Sequence, residues 1–419
     1  MATKRTNNLH QMNRHLQLLL LTLALVHVVI VGMAQTAYIP NQMGSNVSVI
    51  DLSTNNVVGT IPVGLGPTGV SVSLDGTKVY IMNRTSKTVS VINTDSNTVS
   101  ATIAVGGIKP GRGCVTPDGS KLYVTDSWAG TITVINTATN TVATEIPLFS
   151  ANGIAISPDG SKAYVATQIA DEVVVINTAD DSVMDTILVG DNVNSVCVTP
   201  DGSKVYAANS SDWTVSVINA LVDTVSATIP TNYSYPDCMA VTPDGSKLYV
   251  VNSTSNVVSV IDIATNTILT YIHVNHANGI SITPDGSKVY VTQTFSNMLA
   301  EISTATNTIT DNIPVGNFPL AYGNFISTHQ FVGISDHKLD ESNISIYPNP
   351  FTSQTILSFS NEQKNITIEI TDVLGREIKT TNFTGKQFTL LREEMSTGVY
   401  LVKVTGENKS VVSKKIIVQ

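Results

Sequence analysis

Few side chains in this 419-residue sequence are of kinds that do chemistry, and they are scattered. His273 and His276 are the only histidines between Gln35 and Thr328, and their His-x-x-His spacing would suit a metal if both lay on one loop. No carboxylate or cysteine cluster recurs beside them, so the expectation is two solvated loop histidines and no metal. Arg112 stands where the equivalent residues of other repeats are small. A lone guanidinium there would hold an anion or a carboxylate ligand, or would pair with a neighbouring carboxylate. Lys109, Asn194, Tyr235, Asp237, His276, Asn278 and Phe318 lie in equivalent loops, and of these Lys109, Tyr235, Asp237 and His276 join Arg112 as candidate ligand-binding residues. Cys114, Cys197 and Cys238 read as small buried hydrophobes, with a Cys197–Cys238 bridge as the alternative. There is no Gly-x-Ser-x-Gly, His-Glu-x-x-His, phosphate loop or Cys-x-x-Cys, so no catalytic residue and no cofactor is assigned.

The elements that must position these residues are written as a repeat. Thr116-Pro-Asp-Gly-Ser-Lys-Leu-Tyr-Val-Thr-Asp126 has counterparts with Gly at 76, 119, 160, 202, 245 and 286, a period of 41 to 43 residues. Pro presets φ for a turn, Asp tolerates its second corner, and Gly supplies the positive φ that follows, so each copy joins two antiparallel strands. Downstream, Thr131-Ile-Thr-Val-Ile-Asn136 and Asn140-Thr-Val-Ala-Thr-Glu-Ile146 are further short strands, giving four per unit. The tyrosine strand recurs seven times, at Tyr38, Tyr80, Tyr123, Tyr164, Tyr206, Tyr249 and Tyr290. The chain starts inside one unit and ends with a first-strand copy at Ala321–Ile326 lacking its Asp-Gly, which should complete the first unit. The expectation is a seven-bladed β-propeller, closed by pairing of the two chain ends. Alternation in the first strands separates a small set (Gly69, Gly153, Ser195, Cys238, Gly279), expected to line the channel, from a bulky set (Val70, Ile154, Val196, Met239, Ile280), expected between blades.

Leu122-Tyr-Val-Thr-Asp126, Leu248-Tyr-Val-Val-Asn252 and Val289-Tyr-Val-Thr-Gln293 resemble the Tyr-Val-Thr-Asn (YVTN) repeats of surface-layer β-propellers. That resemblance implies a cell-surface or secreted protein and a rigid scaffold, and leaves the ligand open.

Residues 1–34 read as a signal peptide: Lys4, Arg5 and Arg14, an apolar run Leu18–Val31, then cleavage between Ala34 and Gln35. With it removed, no stretch is long and apolar enough for a membrane span. The formal charge of −9, without a basic patch, argues against nucleic acid as partner. Propeller residues 35–328 are followed by an aperiodic polar linker, 329–343, and a module at 344–419 of short strands expected to form a small Ig-like β-sandwich, so the fold class is all-β. The order Tyr347-Pro348-Asn349-Pro350, Asp372-Val-Leu-Gly375-Arg376, Gly398-Val-Tyr400 and Lys414-Lys415-Ile-Ile-Val resembles the type A sorting domain of the type IX secretion system. This implies the secretion machinery of a Bacteroidetes cell as partner, and an outer-membrane surface or extracellular destination. The function expected is a binding or structural module for surface polysaccharide or host matrix protein. The alternative is a propeller enzyme, a lactonase-like hydrolase or cofactor-dependent oxidoreductase, with its site at the channel mouth.

Overall fold

A computed structural model describes residues 35–327, 344–372, 376–392, 395–405 and 411–419. The expected signal peptide with Ala34, the linker 329–343 and Gly375 lie outside the described residues. The chain divides into two compact units, Met1–Phe331 and Val332–Gln419.

The first unit contains seven four-stranded antiparallel sheets. One blade shows how sequence becomes sheet: Arg112–Val115, Lys121–Asp126, Thr131–Asn136 and Thr141–Pro147 pair in that order from the axis outward. The second and third strands are buried on both faces, which explains their near-continuous Val, Ile, Leu and Tyr. In the outermost strand Ile146 alone is buried, packing inward while its neighbours meet solvent. Between the first two strands sits the Asp-Gly turn. The six turn glycines have φ between +70° and +75°, and the neighbouring side chains lock the loop: the Thr199 hydroxyl donates to Asp201 Oδ1 at 2.6 Å, and the Ser203 amide donates to the same oxygen at 3.0 Å. These donors hold the Asp201 carboxyl down at about 2. The repeated aspartate is turn chemistry.

Ring closure is visible. Ile326–Ser327 pairs with Thr36–Asn41, adding the innermost strand of the first blade, and Leu320 N donates to Pro40 O at 2.9 Å. Between those anchors the segment leaves the ladder, and the carbonyls of Tyr322 and Asn324 accept from Val70 N and Val72 N of the next blade. This step sets the Tyr322 ring beside the Arg112 guanidinium.

The second unit is a five-stranded antiparallel sheet. The long strand Gln354–Asp372 pairs Ile344–Tyr347 along its first half and Gly398–Thr405 along its second, and Glu377–Leu391 follows both halves. It wraps a core that includes Leu357, Phe359, Ile368, Val402 and Ile416.

Candidate functional site

The innermost strands surround an axial cavity of about 540 Å³. The small set lines it as alternation led one to expect, with Cys114, Gly153, Ala155, Ser195, Cys197 and Ala240 at the wall. The bulky set packs between blades, with Val70, Val196, Met239 and Ile280 each in an apolar cluster, although Ile154, Val196, Met239 and Ile280 also border the cavity. The crowding of converging strands adds its own demand for small residues; a Cβ on Gly153 would lie 2.5 Å from Ser195 Cα, and one on Gly69 2.5 Å from Gly111 O.

At the end where the first strands begin, polar side chains from several blades meet across the axis. Arg112 Nη2 donates to Asp237 Oδ1 at 2.6 Å, and both residues are over nine-tenths buried. Burial alone would lower the guanidinium's pKa, but the Asp237 carboxylate outweighs it and holds Arg112 above its ordinary value. Asn194 Nδ2 donates to the same Asp237 oxygen at 2.8 Å, and Asn194 Oδ1 accepts in turn from Asn152 Nδ2. The Arg112 guanidinium lies 4.4 Å from the Tyr322 ring centroid, and Nη1 is 3.7 Å from Cys238 Sγ. Arg112 pairs with a carboxylate, and in doing so a residue of the third blade bridges to the sixth.

The other candidates are not gathered with this pair. Lys109 Nζ sits 3.7 Å over the Trp128 ring. Tyr235, with φ +59°, is 44% exposed on its loop. His276 packs edge-on to Phe295 and hydrogen-bonds Ser296 through Nδ1 at 3.1 Å, while His273 Nε2 meets Asn275 at 3.1 Å. Among the described residues no group of three His, Cys, Asp or Glu side chains could hold a metal ion. All three cysteines are free: Cys238 is buried, and Cys114 and Cys197 are half-buried, with burial pushing Cys114 up to about 11 and Cys197 to about 12.

Sequence reasoning missed the aromatic side chains of the same end. Trp128, Phe149, Trp213 and Phe295 are 63%, 67%, 51% and 71% exposed on the hairpins and blade-to-blade loops that, with Tyr235, ring this face. Aligning the hairpins that follow the tyrosine strands would have shown Trp128 and Phe295 at a position that also holds Met43 and Ile169, and Trp213 two residues further along its own hairpin.

In the second unit the sorting motifs converge. Asn349 Nδ2 donates to Lys415 O at 2.9 Å and Ile417 N donates to Asn349 Oδ1 at 2.8 Å, so the Tyr347–Pro350 motif clasps the last strand. Tyr347 is 80% exposed, Pro348 O accepts from Thr355, and the peptide bonds preceding Pro348 and Pro350 are cis. Asp372 Oδ2 accepts from Arg376 Nε at 2.7 Å. Tyr400, two residues past Gly398, is buried with its hydroxyl on Ser396 O at 2.9 Å. Lys415 is exposed and Lys414 half-buried on the final strand.

Residues 345–419 match the family model of the secretion system C-terminal sorting domain, and residues 20–116 that of the YNCE-like beta-propeller. No curated protein matches the sequence. Among solved structures, Kuenenia stuttgartiensis hydrazine synthase is 24% identical, over 64% of this chain and 92% of its own, with a TM-score of 0.59. A functionally unknown protein of Desulfotomaculum acetoxidans is 18% identical over 68% and 99%, at 0.60. A Bacteroides fragilis protein provisionally described as a 6-phosphogluconolactonase is 18% identical over 70% and 98%, at 0.61. Identities of this size carry the fold alone. The chain is a β-propeller, YNCE-like over residues 20–116, that ends in a type IX secretion-system sorting domain.

Proposed function

We propose that the propeller is a binding module, not an enzyme, whose strand-start end engages an extended neutral polysaccharide at the cell surface or outside it. The sorting domain implies passage through the type IX machinery to the outer-membrane surface or the extracellular space. The single observation that carries the binding role is the set of exposed aromatics on one face, Trp128, Phe149, Trp213, Tyr235 and Phe295. Large apolar side chains left in water on one end of a rigid scaffold mark an interaction surface, and flat rings offer apolar faces to sugar rings. Nearby Ser, Thr and Asn side chains, such as Ser296, Ser211 and Asn232, supply hydroxyl and amide partners. Of the charged side chains at this end, Lys109 lies over Trp128, and Arg84 and Lys87 on the second blade's hairpin are offset by Asp171, Asp191 and Asp212 on neighbouring loops.

The test is binding of the full chain to immobilised neutral polysaccharides, acidic polysaccharides and matrix proteins. Saturable binding to a neutral polysaccharide, weakened about tenfold or more by Trp128→Ala or Phe295→Ala, is expected, since one well-packed aromatic contributes roughly 1–3 kcal/mol. Binding to matrix protein alone would refute the polymer, and binding untouched by both substitutions would refute the face.

A further inference from the structure

The axial cavity is not part of that face. At the strand-start end it stops at Arg112, Cys238 and Tyr322, and the Asn152–Asn194–Asp237–Arg112 chain of hydrogen bonds lies beyond. From that floor the lining runs along the first strands to the turn residues Leu74, Pro117, Pro158, Pro200, Pro243 and Pro284. The span is five residues, or roughly 16 Å at the rise of a β-strand. Leu74 is 71% exposed, and the prolines at 158, 200, 243 and 284 are also exposed, so the cavity is a blind cup whose mouth is on the Asp-Gly-turn end. Its volume, about 540 Å³, falls within the range of small-molecule sites, roughly 300–1,000 Å³.

The chemistry of the cup is graded. Ile154, Ile156, Val198, Val241 and Ile282, each half-buried, form an apolar wall, with Ala155 and Ala240 leaving room between them. The floor is polar, because a guanidinium has five N–H donors. Arg112 gives one to Asp237 and a weak one to the Cys238 sulfur, and among the described residues its remaining N–H groups meet no other acceptor. Those donors border the cavity, on a residue 8% exposed. Two features decide the charge of a ligand. Asp237 already neutralises Arg112, so the floor offers hydrogen bonds and no net charge. The turn end carries the carboxylates Asp75, Asp118, Asp159, Asp201, Asp244 and Asp285 around the mouth. The lysines of the same turns reach away from it, Lys121 to Asp181, Lys162 to Asp223 and Lys288 to Glu301, so the nearer charge disfavours an anion.

We infer that the cup is a second binding site, for a neutral and mostly apolar small molecule of chain-like or flat shape that carries an acceptor oxygen at one end. It enters from the turn end, oxygen first, seats its body among the Ile and Val side chains and accepts from Arg112. Polymer bound to the aromatic face would leave it unobstructed.

Three ligands with the same apolar body separate the terms: 2-decanone, decanoate and decylammonium, titrated calorimetrically into the full chain. The expected result is saturable binding of 2-decanone, with decanoate at least tenfold weaker. Ala155→Phe and Ala240→Phe, which fill the cup, abolish 2-decanone binding, while Trp128→Ala and Tyr235→Ala do not change it. A surface variant that leaves the core alone tests the mouth: Leu74→Lys tightens decanoate about threefold or more, and Tyr235→Lys at the opposite end does not. Absence of binding by all three ligands, decanoate or decylammonium as the tightest ligand, or an unchanged 2-decanone affinity in correctly folded filled variants would each overturn the inference. Polymer binding by the aromatic face is read in a separate assay, so either proposal fails without the other.

Discussion

At the scale of single residues, the axis is held by one ion pair. Arg112 broke the small-residue pattern of its ring, so the sequence flagged it; its partner was harder to read, because Asp237 is 125 positions away and meets it only when the ring closes. Nothing local to Tyr322 foretold its ring beside the guanidinium, since the closing segment lacks the Asp-Gly turn that fixes register elsewhere. A buried pair gains little over well-packed apolar residues, but removing one member strands the other charge. Arg112→Met and Asp237→Leu should therefore each lower unfolding stability by about 3–5 kcal/mol, and the double variant should lose much less than the sum. Urea denaturation of the four proteins measures the cycle. Additive losses would mean that the two side chains act independently across the axis.

At the scale of elements, the tyrosine that made the repeat recognisable proves to join one blade to the next. Tyr38 and Tyr249, both fully buried, donate their hydroxyls at 2.7 Å to Asn97 and Asn307 in the outer turn of the following blade. Those asparagines hold left-handed backbone, at φ +49° and +54°, which Asn tolerates better than most residues. Strand order, turn type and the tyrosine were legible because each repeats; what a hydroxyl reaches was not, because it lies in the next repeat. The last blade departs from the pattern. Where the other third strands carry Val49, Val91, Val134, Val175, Val217 or Val260, it carries Glu301, 5% exposed. Burial there favours the neutral acid, yet Lys288 at 2.7 Å, Thr310 at 2.6 Å, Tyr290 at 2.7 Å and Asn55 of the first blade at 2.9 Å together lower the carboxyl to about 2. A depressed acid stabilises the fold above its unfolded value near 4.5, and that contribution fades as pH falls toward about 2. The turn aspartates share this window, so the measurement is a difference: urea midpoints from pH 6 to 2 for the parent and Glu301→Gln. The parent should lose more stability across pH 4.5 to 2 than the variant, and parallel profiles would remove Glu301 from the acid response.

At the scale of the whole propeller, stability depends on a joint between chain ends that share no local sequence. Seven blades and their closure followed from counting strand copies; the bulge of Tyr322–Asn324 toward the second blade did not, because no repeat contains it. Phe325 sits at the seam. It is fully buried in a cluster that combines Tyr290 and Leu299 of the last blade, Tyr38 and Ile50 of the first, and Val70 and Ile81 of the second. Phe325→Ala should cost about 3–5 kcal/mol for the lost contacts and the cavity left behind. Ile229→Ala, in the outer strand of the fifth blade, removes an equally buried side chain at a cost of about 2–5 kcal/mol, but lies away from the seam. The two variants differ in which hydrogen bonds open. If the ends are the weakest link of the ring, Phe325→Ala accelerates amide hydrogen exchange at Tyr38 and Leu320, whose N–H groups bridge the closure, well beyond what Ile229→Ala does at equal loss of global stability. Equal acceleration in both variants would show that the ring opens only by unfolding as a whole, with closure no weaker than any other blade junction.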